Sequence, residues 1–342
     1  MAWYNSSWDY RQKLTLDTSE LSSSVTNDHA IMVRVDTNTD FWANVDSAGA
    51  DVRFTSADGT TLLDYHFEKF TDDTEMIAWV EVVDTFDAST DIDIYMYYGN
   101  SGASDDQDEA GTYTSDIKAI YHMTDATDGT GNYDGTNHGA STNTSGNTGG
   151  CYSFDGTNDY ISFSSFEALT GDSFSISSWV YIDVVTAVTY QRTIFSQGST
   201  SGNDTVLHLN LSLDGYPGLR FYADDLVGTT LVTDDSWNHI VGTYDASDNS
   251  RKLYLNGVEI DSDTASADFS GNSTTEIGRR ADNAGEFYND KIDETKIFGV
   301  VLSADEVKLL NLSEGDSLVT FGSQESKAVD NDFFSMSLGC NF

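Results

Sequence analysis

The sequence predicts an all-β fold made of two β-sandwich domains, the second a jelly roll with one short C-terminal helix. Three observations carry this. The chain is rich in Gly, Ser, Thr, Asn and Asp, holds a single proline, and is 12% aromatic, a mixture suited to short strands and tight turns. Apolar and polar residues alternate over short runs along most of its length. At 342 residues it can bury two cores, and the alternation is interrupted by an acidic stretch at 101–116.

In the first domain, residues 1–100, the runs Lys13 to Leu16, Ala30 to Val35, Asp51 to Thr55, Met76 to Val83 and Asp91 to Tyr98 fit half-buried strands. Asp58-Gly59 and Gly99-Asn100 mark turns. Trp8, Trp42 and Trp79 fall inside the patterned segments and read as core, whereas Trp3 lies outside any strand and reads as exposed. Residues 101–116, SGASDDQDEAGTYTSD, have no apolar period and predict a solvated linker.

The second domain spans 117–312. AIYHM at 119–123 is its first strand, followed by long polar loops around one or two short strands. FDGTNDYISF at 154–163 is a tight acidic turn leading into a strand, and FSISSWVYI at 174–182 alternates cleanly. Further strands fall at Arg192 to Ser196, Val206 to Leu213, Leu219 to Ala223, Asn238 to Tyr244, Lys252 to Leu255, Glu276 to Gly278 and Lys291 to Phe298. Asn256-Gly257 is a two-residue hairpin signal. So many closely spaced strands argue for a jelly roll. Ser303, with Glu306 three residues on, is a capping box opening the helix. In the tail, 313–342, Leu318 to Phe321 and Phe333 to Leu338 are apolar enough for strands that return to the first domain, add to a neighbouring subunit, or fray.

Acidic residues number 57 against 16 basic ones, a net charge of -41. Such a surface repels nucleic-acid backbones and anionic membranes. No stretch approaches the roughly 20 apolar residues of a membrane span, and the first residues show neither the basic nor the apolar region of a signal peptide. Cys151 and Cys340 are too few for a disulfide scaffold and form no zinc pattern; one bridge and two free thiols both remain open.

The first hundred residues resemble an uncharacterised domain recurrent in bacterial, archaeal and phage surface proteins. Trp8, Tyr10, Arg11, Phe41-Trp42, GADVRFTSADGTTL at 49–62, Ala78-Trp79-Val80 and YMYYGN at 95–100 carry the resemblance. Residues 117–312 are similar to the laminin-G-like branch of the concanavalin A-like lectin and glucanase superfamily. Here the ordered motifs are AIYHM, FDGTNDYISF, FSISSWVY, WNHIVGTYD at 237–245, KLYLNG at 252–257, EIGRR at 276–280, KIDETKIF at 291–298 and LSADEVKLL at 302–310. This resemblance implies two antiparallel sheets packed face to face.

On the residues alone, the FDGTNDY turn fits either an Asx-turn or a set of oxygen ligands for a hard cation. The superfamily resemblance implies a structural Ca²⁺, with Asp293 of KIDETKIF as the late-strand acid and Asp155 and Asp159 as its partners; Asp125, Asp128 and Asn132 are further oxygen donors. The paired carboxylates of the superfamily's glucanases have their nearest counterpart in Glu259-Ile260-Asp261-Ser262-Asp263. That run lacks the final Glu and follows a hairpin turn, so no catalytic pair is assigned. His122 and His239 sit inside strand motifs and read as sheet residues. Tyr190, Tyr216 and Tyr288 are the loop aromatics available for a ligand. These readings converge on a non-catalytic surface protein, extracellular or on a virion, whose partner is a glycan or a neighbouring structural protein, with homo-oligomers possible. A secreted glycoside hydrolase or lyase and a purely architectural subunit are the alternatives.

Overall fold

The computed structural model describes residues 2–184, 190–282 and 285–328. Its first part contains β1 (Tyr10–Leu16), β2 (His29–Val35), α1 (Thr39–Trp42), β3 (Arg53–Thr55), β4 (Leu62–Leu63), β5 (Tyr65–Thr71), β6 (Glu75–Val82) and β7 (Ile92–Tyr98). Next come β8 (Ile117–Tyr121), β9 (Gly135–His138), β10 (Ser141–Asn143), β11 (Cys151–Asp155), β12 (Tyr160–Phe163), β13 (Phe174–Ile182), β14 (Arg192–Gln197) and β15 (Leu207–Leu211). Then follow β16 (Pro217–Arg220), β17 (Asp225–Val227), β18 (Ser236–Asp245), β19 (Ser250–Leu255), β20 (Val258–Thr264), β21 (Thr275–Ile277) and β22 (Asn289–Phe298). The helix α2 (Ala304–Glu314) and β23 (Val319–Ser326) close the described chain.

In the first sandwich, the sheet β23-β1-β7-β3-β4 faces the sheet β2-β6-β5. Between them lie Leu14, Val33, Phe54, Ile94 and Met96, joined by Leu309, Leu312 and Leu318 from the C-terminal segment. In the second, β10-β11-β22-β13-β18-β19-β20, with β8 also on β22, faces β17-β16-β15-β14-β21-β12-β9. Phe154, Ile161, Phe174, Leu209, Leu219 and Ile277 fill this core. The FDGTNDYISF segment is therefore not one strand with a turn before it: β11 and β12 belong to opposite sheets, and the turn carries the chain across the sandwich. Gly156 sits there at φ 73, where a Cβ would come 2.6 Å from that of Asn289.

The C-terminal segment ties the two sandwiches together. The predicted capping box is present: Ser303 Oγ accepts from Glu306 N, and Glu306 Oε2 accepts from Ser303 N. Asp305 accepts from the backbone N–H groups of Ser22 and Ser23 at 2.8 and 2.9 Å, and Ser313 Oγ accepts from Met32 N at 2.8 Å. Ser303→Ala is expected to cost about 1 kcal/mol, the usual worth of such a cap, measured as a shift of the urea midpoint. Beyond the helix, β23 pairs antiparallel with β1, so the tail returns to the first sandwich. Phe333 to Leu338 and Cys340 lie outside the described residues, and Cys151 is a buried free thiol. No described helix is long and apolar enough to cross a membrane.

Three sequence expectations are corrected. The end of the acidic stretch is not solvated, because Thr112 and Tyr113 are buried. Tyr113 packs with Ala30, Met32, Ile77, Trp79 and Ile120 in a small core between the sandwiches. Trp3 is half-buried rather than exposed: its Nε1 donates to Trp8 O at 2.9 Å and the Arg11 guanidinium lies 4.7 Å from its ring. β5 was not predicted: His66 and Glu68 interrupt its apolar pattern. Both side chains turn toward the second sandwich, where His66 is buried and Glu68 half-buried overall.

At the same junction Lys296, on β22, is fully desolvated. Its Nζ lies 2.5 Å from Glu314 Oε1, 3.3 Å from Glu294 Oε2 and 3.9 Å from the centre of the Trp79 ring. Trp179 Nε1 donates to the other oxygen of Glu314. A buried cation is thus held between two buried carboxylates and an aromatic face.

Candidate functional site

The structure does not assemble the expected calcium triad. Asp155 is exposed at the end of β11, opposite Asn289 on β22. Asp293 lies four residues further along β22, roughly 13 Å away at strand rise. Its carboxylate is occupied by loop backbone: Oδ2 accepts from Asn147 N at 2.7 Å and Thr148 N at 3.1 Å, and Oδ1 from Glu294 N at 2.9 Å. Asp159 is buried and accepts from Asp155 N at 3.0 Å, while Asp155 accepts from Thr157 N and Asn158 N. That pattern is an Asx-turn, and these three residues do not fit a shared ion. Asp128 likewise spends both oxygens on Ile120 N, Thr130 N, Asn132 N and Tyr133 N.

The acidic run on β20 is also rearranged. A bulge sets Glu259 opposite Tyr254 but Asp261 opposite Leu253, so the two acids project from opposite faces. Asp263 is held by both Nε and Nη2 of Arg251, and Glu259 pairs with Lys252.

A different constellation emerges on the seven-stranded sheet. Read across its register, Asp225, Arg220, His208, Ser196, Glu276, Ser162 and Thr136 form one row spanning every strand. The adjacent row, Leu226, Leu219, Leu209, Phe195, Ile277 and Ile161, is apolar and points into the core. Strand alternation therefore puts the polar row on the outer face. Arg279 to Asp282 and Gly285 to Tyr288 form a strap against this face, with Ala281 N donating to Ser196 Oγ at 3.2 Å.

The strap and the row supply three arginines, each matched to acids. Arg220 pairs with Asp225 and donates to Asn210 Oδ1 at 3.0 Å. Arg279 grips Glu276 through two nitrogens and stacks 3.6 Å from the Tyr160 ring centre. Arg280 donates to Glu286 Oε1 at 2.7 Å and pairs with Asp282. Burial, then the charges of Arg280 and Arg220, push His208 down to about 3, so its imidazole is neutral near neutrality. Burial raises the Glu286 carboxyl against the pull of Arg280. Among the described residues, His208 Nδ1, Thr193 Oγ1 and Glu286 Oε2 are buried without hydrogen-bond partners. Tyr222 lies beside Arg280 with its backbone left-handed at φ 61, a strained conformation for a bulky residue. The face offers fixed donors and acceptors in a nearly charge-balanced setting.

Of the predicted aromatics, Tyr190 is exposed just before β14 and Tyr216 half-buried before β16, both at one end of this sheet. Tyr288 is a core residue whose hydroxyl donates to Tyr181 O at 3.0 Å, so it cannot receive a ligand. His208, Asn210 and Arg220 were overlooked because LHLNL and PGLR read simply as strands. Their signal was the polar residue at each alternate position.

The pairing of a polar outer row with an apolar inner one, on the larger jelly roll, agrees with a profile match: residues 155–308 match the concanavalin A-like lectin/glucanases superfamily. Residues 155–308 are a concanavalin A-like domain. Residues 48–182 match a domain of unknown function, a span running from the first sandwich into the second. No curated protein matches the chain. Among solved structures, domain 4 of an extracellular arabinanase from Geobacillus stearothermophilus, in complex with arabinotriose, is 20% identical, with 57% of this chain and 98% of that one covered and a TM-score of 0.46. The binding domain of Paraclostridial Mosquitocidal Protein 1 is 16% identical over 58% of this chain and 52% of that one, at 0.47. The carbohydrate-binding module of a Ruminococcus gnavus sialidase, bound to sialyllactose, is 18% identical over 41% and 83%, at 0.36. At these values the likenesses carry no information about a ligand.

Proposed function

We propose that the protein is a non-catalytic glycan-binding protein of a surface assembly, a virion fibre or capsid decoration, and that the outer face of the seven-stranded sheet is its binding face. The observation carrying this reading is the polar row together with three buried, unpartnered side-chain atoms in and around it, His208 Nδ1, Thr193 Oγ1 and Glu286 Oε2. Sugars present vicinal hydroxyls that donate and accept at once, and Arg220, Arg280, Glu286, Asn210 and His208 supply fixed partners for both roles. A lectin-type superfamily match on the same sandwich supports it. The surface setting is supported by the resemblance of the first domain and by a charge that disfavours nucleic acid.

A glycan array with the full chain tests the binding face. Arg280→Ala and Glu286→Ala are expected to lower binding of any positive glycan at least tenfold, since each leaves a desolvated partner unpaired, while far-ultraviolet circular dichroism stays unchanged. An array without signal, or a signal indifferent to both substitutions, removes the reading. Release of reducing sugar from a bound polysaccharide would replace it with a hydrolase. Immunogold microscopy of purified particles tests the setting.

A further inference from the structure

The junction between the sandwiches holds a second cluster that the glycan reading does not use. His66 comes from β5, Glu109 from the acidic stretch and His122 from the residue after β8. One ligand atom from each lies within 4.8 Å of the others. These three line a cavity of 170 Å³ together with Phe67, Glu68, Thr124, Asp125 and Thr127.

The histidines are presented in a way that suits ligation. His122 Nδ1 is 2.7 Å from Glu294 Oε1, which leaves Nε2 as the nitrogen directed away from β22. Glu294 is itself fixed, fully buried and paired with Lys296. It sits in a β-bulge where Ser177 opposes Lys296 but Trp179 opposes Asp293, with its own backbone at φ 44. Bulges re-aim side chains, and this one delivers a carboxylate to the back of the imidazole. A histidine whose second nitrogen is held by a buried carboxylate is the usual outer-shell arrangement behind a metal ligand.

Independent support comes from buried polar atoms that nothing satisfies. His66 is 4% exposed and its Nδ1 has no hydrogen-bond partner; Glu68 Oε1 beside it has none either, while its Oε2 accepts from Trp79 Nε1 at 3.0 Å. Unsatisfied buried atoms of this kind are uncommon in folded proteins. The Tyr113 hydroxyl lies between the rings, 2.8 Å from His122 Nε2 and 3.3 Å from His66 Nε2, and bridges the two imidazoles.

We propose that His66, Glu109 and His122 form a binding site for a divalent transition metal of the zinc class, with Glu294 as the positioning residue behind His122. Two imidazoles and one carboxylate suit zinc better than calcium, which prefers six to eight oxygens. The cavity leaves a coordination position open. Because His66 belongs to the first sandwich and His122 adjoins a strand of the second, the ion would staple the two.

The test is calorimetric titration of chelator-treated full-length protein with ZnCl₂ and, separately, with CaCl₂, alongside visible absorption of the Co²⁺ form. One zinc per chain, a Co²⁺ band of low coordination number and a raised unfolding midpoint with zinc are expected. Glu109→Gln, at an exposed position, and His66→Asn should each weaken zinc binding at least tenfold. Glu294→Gln should weaken it about 10- to 100-fold and shift the Co²⁺ spectrum, which a merely structural role would not do. The proposal fails if the folded wild-type protein takes up no zinc, if zinc binding survives the His66→Asn/Glu109→Gln pair, or if calcium binds there and zinc does not displace it.

Discussion

Lys296→Met is expected to destabilise the protein by about 3–5 kcal/mol, the range for stranding a buried charge. The substitution keeps most of the apolar stem and removes only the ammonium, leaving Glu294 and Glu314 buried without their shared cation. The Trp79 ring loses its cation as well. Adding Glu314→Gln should recover part of the loss, because one of the two uncompensated carboxylates disappears; the double variant is then more stable than the sum of the singles predicts. Urea unfolding followed by tryptophan fluorescence reads both, since Trp79 lies against Lys296 and Trp179 hydrogen-bonds Glu314. Strict additivity would show that the three groups do not act as one unit.

The second large effect is expected in acid. Burial holds both His208 and His239 down to about 3, helped by Arg280 and Arg220 at the first and by Lys296 at the second. His239 stacks on Trp179, hydrogen-bonds Ser177 Oγ at 2.7 Å and faces Glu314 at 3.9 Å. In the unfolded chain each imidazole titrates near 6.5, so between about 6.5 and 3 the unfolded state binds more protons than the folded one. Their stabilising contribution is complete above 6.5 and is lost as pH falls through that window. At about 1.4 kcal/mol per unit, the two together remove on the order of 10 kcal/mol at most. Glu286 acts in the opposite sense, because a carboxyl raised in the fold stabilises more as it protonates. Comparing denaturant midpoints at pH 7 and pH 4.5 for the wild type and for His208→Gln/His239→Gln checks the assignment: the double variant should lose less. Equal losses would place acid sensitivity elsewhere.

Much of the fold was legible because it rests on local rules. Alternation located β2, β7, β13 and β22 to within a few residues, the Asn256-Gly257 pair marked the β19–β20 hairpin, and Ser303 with Glu306 announced α2. What stayed hidden depends on which surface a polar residue meets. β5 was missed because His66 and Glu68 are directed at another part of the same chain rather than at water. The polar row escaped for a related reason: in β15, His208 and Asn210 look like ordinary solvent-side positions, and only the register with Arg220 and Ser196 collects them. Asp293 was expected to ligate calcium with Asp155 and Asp159, whereas its partners are loop amides at 147 and 148, which no spacing rule announces. The β20 acids lost their common face to a one-residue bulge, a feature that period-two counting cannot foresee.

The return of β23 to β1 has a consequence for the order in which the molecule is made. The two strands come from opposite ends of the described chain, and Leu309, Leu312 and Leu318 complete the core of the sandwich synthesised first. A ribosome delivering the first sandwich before the C-terminal segment therefore releases an unfinished body, with the outer edge of β1 bare and part of its core missing, until residues 309–326 have emerged. Domains usually fold in the order they emerge, but here β1 must wait for β23, and the intervening jelly roll can close first. Pairing across such a separation is slow, and the waiting edge is the surface through which nascent copies would associate.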